Sequence, residues 1–277
     1  MTSSNSAPRE SSSRRLRAIG RSELASPDRK RTYNEELFEQ VAPRYRLATR
    51  FLSFGRDPRW KRVLVATALE RHYRSGRAAR RLSAARGLQP APVSIDLACG
   101  TGDVTFELAR QAPDGSVTGV DVSIDMVRRA RLAQAREKIA NASFAIGDMA
   151  TLPASDATVD VVTGSYALRN ASDLEATLCE VFRVLRPGGI AAFLEFSLPT
   201  SRLRRALQLR LLRVWGQLWG VVLHGNPEIY AYIARSLSRF PDSTEFVALL
   251  RRIGFADHRS RDLMGGFVRI TIVDKPR

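Results

Sequence analysis

The stretch Asp96–Val104, DLACGTGDV, follows the short apolar run Val93–Ile95 and is the part of the sequence that decides the fold. An apolar strand that ends in a glycine turn and leads into a helix is the start of a βαβ unit. Gly100 and Gly102 allow the backbone to approach a ligand closely. The loop lacks the third glycine of a dinucleotide fingerprint, since position 105 is Thr, and it lacks a Walker lysine. We therefore expect a ligand without a diphosphate, or else only a tight turn.

Strands and helices alternate after this loop, and this alternation predicts an α/β fold with a mostly parallel, doubly wound sheet. The predicted strands are Val93–Ala98, Ser116–Asp121, Ser143–Ile146, Val159–Ser165, Ile190–Phe196, Ala256–Asp262 and Phe267–Val273. The predicted helices of this region are Asp103–Gln111, Ile124–Lys138, Ser172–Leu185 and Ser243–Ile253. Ser172 and Glu175, three residues apart, predict a capping box at the start of one of them.

The chain before the sheet divides into a tail and a helical region. Residues 1–31 are rich in Ser and Arg and predict a disordered basic tail, with a transit peptide as the alternative. Residues 32–277 are expected to form one domain, of which residues 32–92 supply N-terminal helices and a linker. Pro43 is expected to break the first of these helices.

Composition limits the class of protein. The net charge of +16 indicates an anionic partner, either a nucleic acid or a membrane surface, or an arginine-rich proteome. Two cysteines and three scattered histidines predict neither a disulfide framework nor a metal site. The sequence has no apolar run long enough for a membrane span and no secretory signal, so we expect a cytoplasmic protein.

The acidic residues at strand ends indicate the ligand. Asp121 closes the second strand, where its carboxylate is suited to two ribose hydroxyls, and Asp148 follows the third strand. Asp96, Gly100 and Gly102 shape a loop that admits an amino-acid group. A nucleoside that carries an amino acid, such as S-adenosylmethionine, is therefore the predicted cofactor, at the carboxyl ends of the strands. The alternative is an exposed acid beside a glycine turn.

Several longer motifs are more specific than the loop. DLACGTGD, GVDVSIDMV, YALRNASD, RVLRPGG followed by FLEFSLP, and YAYIARSLSRFPD resemble signatures of the ubiquinone/menaquinone biosynthesis C-methyltransferases, a class I S-adenosylmethionine-dependent family. The resemblance extends from about Tyr33 to Gly266. It implies a Rossmann-like sheet of seven strands in the order 3-2-1-4-5-7-6. It also implies methylation of a prenylated quinol, either demethylmenaquinol or a benzoquinol of the ubiquinone pathway.

The resemblance also assigns site residues. It implies cofactor contacts by Thr101, Asp121, Asp148, Met149 and Ser165.

Two motifs depart from the family pattern. Tyr45–Thr49 replaces Tyr-Asp-x-x-Asn, and Phe267–Thr271 replaces an Ala-Leu-His run. Both departures are expected near the acceptor site, so they leave the identity of the acceptor open.

Arg169 and Asn170 are the predicted catalytic residues. They follow the fourth strand, at the edge of the sheet where an acceptor is expected. Arg169 is suited to stabilise a phenolate, and Asn170 to orient a ring hydroxyl. The alternative is that Arg169 pairs with an acid and Asn170 caps a turn.

Residues 200–237 are expected to form a helical insert over the acceptor site. Arginines alternate there with leucines, which is typical of a helix at an anionic membrane surface and also of a lid with solvated arginines. Peripheral attachment to the inner face of the cell membrane is thus one option. The rival functions are methylation of another aromatic molecule or of RNA, and a non-enzymatic cofactor-binding scaffold. No nucleic-acid partner is expected, because no RNA-binding module is visible, and a homodimer is one option for the oligomeric state.

Overall fold

The structure is a computed structural model that describes residues 26–75 and 91–277. Most of the predicted tail and most of the predicted linker lie outside these residues.

Seven strands form one sheet that nine α-helices surround in the described part of the chain. The strands are β1 (Val93–Leu97), β2 (Ser116–Asp121), β3 (Ala142–Ile146), β4 (Val159–Ser165), β5 (Leu185–Phe196), β6 (Ala256–Leu263) and β7 (Val268–Asp274). The helices are α1 (Pro27–Val41), α2 (Tyr45–Leu52), α3 (Asp57–Ser75), α4 (Asp103–Gln111), α5 (Ile124–Glu137), α6 (Leu174–Val184), α7 (Arg202–His224), α8 (Glu228–Leu237) and α9 (Ser243–Ile253).

The strand order is β3-β2-β1-β4-β5-β7-β6, which confirms the predicted fold and order. β7 runs antiparallel to both of its neighbours, β5 and β6, while the other pairs are parallel. Helices α3, α4 and α5 cover one face of the sheet, and α6 and α9 cover the other. The chain reverses its winding direction between β1 and β4, so a crevice opens at the carboxyl ends of these strands.

The N-terminal boundary differs from the predicted one. Helix α1 begins at Pro27, so the assignment of residues 27–31 to a disordered tail is wrong. The first turn is polar, but it is held by contacts with the rest of the fold: the Lys30 ammonium donates a hydrogen bond to the carbonyl of Ala171. The predicted break at Pro43 is confirmed, since a 3₁₀ turn over Ala42–Arg44 separates α1 from α2.

Two other boundaries were predicted wrongly. Asp173, not Ser172, caps α6, and its carboxylate accepts a hydrogen bond from the Ala176 amide at 3.0 Å. The following strand begins at Leu185 rather than Ile190, because Leu185 already pairs with Val159 and the register shifts before Ile190 pairs with Val161.

The predicted insert forms α7 and α8, which pack closely against each other. Glycines allow this approach: a Cβ on Gly216 would lie 2.5 Å from the carbonyl oxygen of Tyr230, and one on Gly220 would lie 2.5 Å from that of Asn226. Although α7 has 23 residues, neither it nor any other helix of residues 26–75 and 91–277 is long and apolar enough to cross a membrane.

Candidate active site

Two cavities meet at the carboxyl ends of β1, β2 and β4. The first is lined by the loop after β1 and by the ends of β2, β3 and β4, and the second by α1, α2, α7 and α8. Their walls share four residues, namely Phe38, Tyr45, Tyr166 and Asn170. The two cavities are therefore adjacent and share part of their lining.

Asp121 organises the first cavity. Its carboxylate is buried at 7% exposure and accepts hydrogen bonds from the Gly100 amide at 2.8 Å and the Ser123 amide at 2.9 Å. Burial, the largest influence, raises the pKa of Asp121, and these backbone hydrogen bonds oppose the rise. The carboxylate thus joins the end of β2 to the glycine loop and still lines the cavity.

Four other predicted cofactor residues line the same cavity: Gly100, Asp148, Met149 and Ser165. The Ser165 hydroxyl is buried and has no hydrogen-bond partner among the described residues. The Arg31 guanidinium of α1 lies 3.7 Å from the Asp148 carboxylate, so α1 covers this end of the cavity.

The remaining three predicted cofactor residues are Asp96, in β1, and Thr101 and Gly102, in the loop. Asp96 is buried beneath it and accepts hydrogen bonds from the hydroxyls of Thr105 at 2.8 Å and Thr163 at 2.9 Å. Burial raises the pKa of Asp96 to about 7 against these hydrogen bonds. Thr101 faces a groove on the other side of the loop. Asp96 thus joins β1 to α4 and β4 beneath the loop, and a direct contact of Asp96, Thr101 or Gly102 with a cofactor stays a prediction.

Gly102 has a conformational and a steric role in the loop. Its φ of +88° lies in the left-handed region, and a Cβ on it would meet the ring of Phe106 at 2.8 Å. The glycine therefore permits the turn from β1 into α4 and the tight packing of that helix.

The strand ends at the cavities carry strained backbone. Ala98 after β1 has a φ of +46°, and Tyr166 after β4 has a φ of +55°. Such angles are costly for residues other than glycine and occur frequently at functional sites. At Tyr166 the turn lets its ring line both cavities.

The second cavity has a volume of about 400 Å³ and is mostly apolar. Its polar groups are concentrated in a few residues that include Tyr45, Asp57, Arg169 and Asn170. An apolar chamber with a few polar groups is suited to a ligand that joins a hydrophobic body to a polar ring.

Arg169 lies in the wall of the second cavity in a buried ion pair. Its guanidinium contacts the Glu195 carboxylate at 3.3 Å and donates to the Tyr166 carbonyl at 2.7 Å. It also lies over the rings of Tyr166 and Phe196, at 5.8 and 5.5 Å from their centroids. Its Nε is buried without a partner among the described residues. Arg169 thus pairs with the carboxylate of Glu195, while its Nε–H group has no partner among the described residues.

Asn170 faces both cavities and is fixed by its neighbours. Its side-chain nitrogen Nδ2 donates to the Tyr166 carbonyl at 3.0 Å. Its backbone carbonyl accepts a hydrogen bond from the Asn34 side chain at 2.8 Å. Asn34 in turn accepts a hydrogen bond from the Tyr232 hydroxyl of α8. The Oδ1 atom of Asn170 is buried and, in the described part of the chain, is left without a partner.

A family model of the ubiE/COQ5 methyltransferase family matches residues 27–275 of this sequence. The chain belongs to the ubiE/COQ5 methyltransferase family. The match begins at the first residue of α1 and ends after β7, so it includes both cavities and the insert.

Curated relatives agree with this membership. The chain is 37% identical over 248 residues to a ubiquinone/menaquinone biosynthesis C-methyltransferase of Geobacter sulfurreducens, and the alignment covers 87% of each chain. It is 35% identical over 260 residues to a demethylmenaquinone methyltransferase of Symbiobacterium thermophilum, which covers 91% of this chain and 96% of the relative.

Solved structures share the fold. A phosphoethanolamine N-methyltransferase of Haemonchus contortus in complex with S-adenosyl-L-methionine is 13% identical, with a TM-score of 0.51 over 69% of this chain and 50% of that chain. The YcgJ protein of Bacillus subtilis is 17% identical, with a TM-score of 0.51 over 67% of this chain and 92% of that one. At these identities the likeness concerns the fold alone.

Sequence reasoning missed several cavity residues of this family member. The sequence marks Tyr45 only by its place in a motif that departs from the family pattern, and it gives Asn34 and Asp57 no motif. The polar stretch of residues 55–61, GRDPRWK, which leads into α3, was the available signal for Asp57. Its burial depends on how α3 packs against β4 and β5, which the local sequence does not reveal.

Proposed function

We propose that this chain transfers the methyl group of S-adenosylmethionine to a ring carbon of a prenylated quinol in respiratory quinone biosynthesis. The observation that supports this function most is the pair of cavities, one built on Asp121 and the glycine loop, the other more strongly apolar, with four shared residues. The family membership and the names of the relatives agree with it. An RNA substrate is disfavoured, because an apolar chamber offers no place for a phosphate backbone.

The residues of the first cavity fit the cofactor. Asp121 lies at the end of β2 with a carboxylate that accepts hydrogen bonds, and we assign it to the ribose hydroxyls. The unpartnered hydroxyl of Ser165 and the Gly100 backbone suit the amino-acid end. Asp148 and Met149 are assigned to the adenine. When bound, S-adenosylmethionine supplies an electrophilic methyl group on a sulfonium.

The residues of the second cavity position and activate the acceptor. Tyr45, Tyr166 and Phe38 hold the ring where the cavities meet, and the surrounding apolar walls exclude water. Orientation of this kind contributes roughly 7–11 kcal/mol to a bimolecular reaction. Arg169 stabilises the negative charge that develops on a ring oxygen, and the free Oδ1 of Asn170 accepts a hydrogen bond from a ring hydroxyl.

The surface of α7 suggests how a prenylated acceptor reaches this cavity. Seven exposed apolar side chains follow one stripe of the helix: Leu203, Leu207, Leu211, Val214, Leu218, Val221 and Val222. Leu211 and Val214 also line the second cavity, so the stripe is continuous with its wall. Exposed apolar patches of this kind mark interaction surfaces.

Charged and aromatic residues beside the stripe favour an anionic membrane as the partner. Arg202, Arg204, Arg210 and Arg213 are exposed on the same helix. Phe54, exposed at 58%, stacks on Trp215 with ring centroids 4.9 Å apart. Apolar and aromatic side chains beside arginines are typical of helices at anionic bilayer surfaces. We infer that α7 binds the inner face of the cell membrane and admits the prenyl tail along its apolar stripe.

Replacing Leu207 and Leu218 with glutamate is expected to abolish binding to vesicles that contain anionic lipid. Each change removes exposed apolar area and adds a charge that a bilayer repels, while neither residue lines a cavity. Vesicle sedimentation measures binding, and turnover of a short-tailed soluble quinol is the control. Retained vesicle binding, or an equal loss of soluble-substrate turnover, would contradict the role of α7.

The proposed reaction is tested with purified protein. We expect demethylated quinols to gain one methyl group, detected by mass spectrometry, when S-adenosylmethionine is present, and no transfer to total RNA. Benzoquinol and naphthoquinol acceptors are assayed in parallel, because the names of the relatives include both the ubiquinone and the menaquinone pathway. Cofactor binding without transfer to any quinol would favour the scaffold alternative.

A further inference from the structure

Asp57, the first residue of α3, is a buried carboxylate in the wall of the second cavity. It is 3% exposed and lines the chamber beside Tyr45 and Trp60. Its backbone amide donates to the Ser53 hydroxyl at 3.0 Å, which fixes the start of the helix. The Oδ1 atom is buried and has no hydrogen-bond partner in residues 26–75 and 91–277. A carboxylate oxygen left in this state is costly unless a ligand uses it.

The other oxygen of Asp57 is held by Lys61. The Lys61 ammonium lies 2.7 Å from Asp57 Oδ2 and 3.1 Å from the Asp103 carboxylate, and its side chain is buried at 8% exposure. Burial acts to lower the pKa of Lys61, but the carboxylates of Asp103 and Asp57 raise it above its ordinary value. The lysine therefore stays charged and holds one oxygen of Asp57, while the second oxygen stays free.

Asp57 is close to the place where the two cavities meet. Burial is the largest cause of the raised pKa of Tyr166, and the charge of Asp57 adds to it. Burial and Asp57 also raise the pKa of Tyr45 to about 12, against the charge of Lys61. Both tyrosines line both cavities and keep their protons at neutral pH. Among the described residues, Asp57 is thus the carboxylate that lines the second cavity, and its free oxygen is left for an acceptor.

We propose that Asp57 is the catalytic base that takes the proton of the acceptor hydroxyl next to the methylated carbon. This role rests on the proposed function. Burial, its largest influence, raises the pKa of Asp57 against the charge of Lys61. A carboxylate with a raised pKa is a stronger base for a phenolic proton than one in water.

The proposed methyl transfer conserves atoms and charge. Asp57 accepts the hydroxyl proton, and the electron pair of the oxygen moves into the ring. The ring carbon forms a bond to the methyl group as the sulfur–methyl bond breaks and leaves its electron pair on sulfur. The same carbon then loses its hydrogen to solvent as a proton, which leaves the methylated phenolate. Asp57 returns its proton to that oxygen, so one proton is released in total.

Asp57→Asn separates this role from a structural one. The amide keeps the size of the side chain but cannot take a proton, and Lys61 keeps its contact with Asp103. We expect kcat for a short-tailed demethylated quinol to fall about 100-fold. With a chlorinated quinol whose hydroxyl is already ionised at the assay pH, the loss should shrink to less than about 5-fold, because no base is needed. Cofactor affinity and melting temperature are expected to change little.

Asp103→Asn is the matched control. It removes the other carboxylate on Lys61 but does not touch the second cavity, so it should lose little activity with either acceptor. If Asp57→Asn unfolds, Asp57→Asn/Lys61→Met removes the charged pair together and is tested with both acceptors. An equal loss with both acceptors, or no loss, would overturn the assignment of Asp57. A wild-type protein that methylates no quinol would instead overturn the proposed function.

Discussion

Arg169→Gln is expected to lower kcat and kcat/KM together by about 1000-fold and to leave cofactor affinity unchanged. A guanidinium that faces a developing oxyanion in a water-excluded site acts mainly in the transition state, and loss of one such donor typically costs 10²–10³ in kcat. Single-turnover rates at saturating cofactor measure this effect. Lysine should restore little activity, because its ammonium lacks the planar fork of donors.

The ion pair with Glu195 makes a stability control necessary. Loss of one partner leaves the other buried and unpaired, which typically costs about 3–5 kcal/mol. Arg169→Gln/Glu195→Gln removes both charges, so its melting temperature should recover while kcat stays low. If the double variant recovers its rate together with its stability, Arg169 serves only to hold the loop after β4.

Asp121→Asn is expected to weaken S-adenosylmethionine binding by about 100-fold. Two hydrogen bonds from ribose hydroxyls to a carboxylate are worth roughly 1.5–3 kcal/mol each, and an amide keeps only one accepting oxygen. The same carboxylate also accepts the Gly100 and Ser123 amides. Calorimetric titration in the presence of a chelator measures the affinity.

Asp148→Asn is the comparison for Asp121. Asp148 lies in the same cavity but accepts a backbone hydrogen bond only from Ala150, two residues along the chain. Its replacement should therefore weaken binding much less. Equal affinity of wild type and Asp121→Asn would remove Asp121 from the cofactor site, and an equal loss in both variants would assign the effect to cavity charge alone.

Much of this fold could be predicted from local patterns in the sequence. The apolar run before the glycine loop, the alternation of strands and helices, and Asp121 at a strand end are features of short segments. In parallel sheets, strand ends gather at one edge whatever the surroundings. Family motifs supplied the strand order, which alternation alone does not predict. Arg169 and Asn170 could be predicted at this edge for the same reason, since they lie in the short turn after β4.

The ends of helices were harder to predict from the sequence, because they depend on competing contacts. Ser and Asp are both favoured at helix N-caps, and in the structure Asp173 rather than Ser172 caps α6. Residues 27–31 are too polar to predict order, yet they are ordered because Lys30 and Arg31 contact Ala171 and Asp148.

The sequence by itself determined the sheet, the glycine loop and the family, because these depend on local periodicity and on motifs of adjacent residues. Only the tertiary structure decided which side chains face the cavities. It buried Asp96 beneath the loop, placed Thr101 in another groove and brought Asp57 of α3 into the same cavity wall as Tyr166, which follows β4. The physical reason is that burial and pairing depend on contacts between residues far apart in the chain. Two carboxylates that look alike in the sequence thus differ, since Asp96 has both oxygens satisfied and Asp57 has one left free.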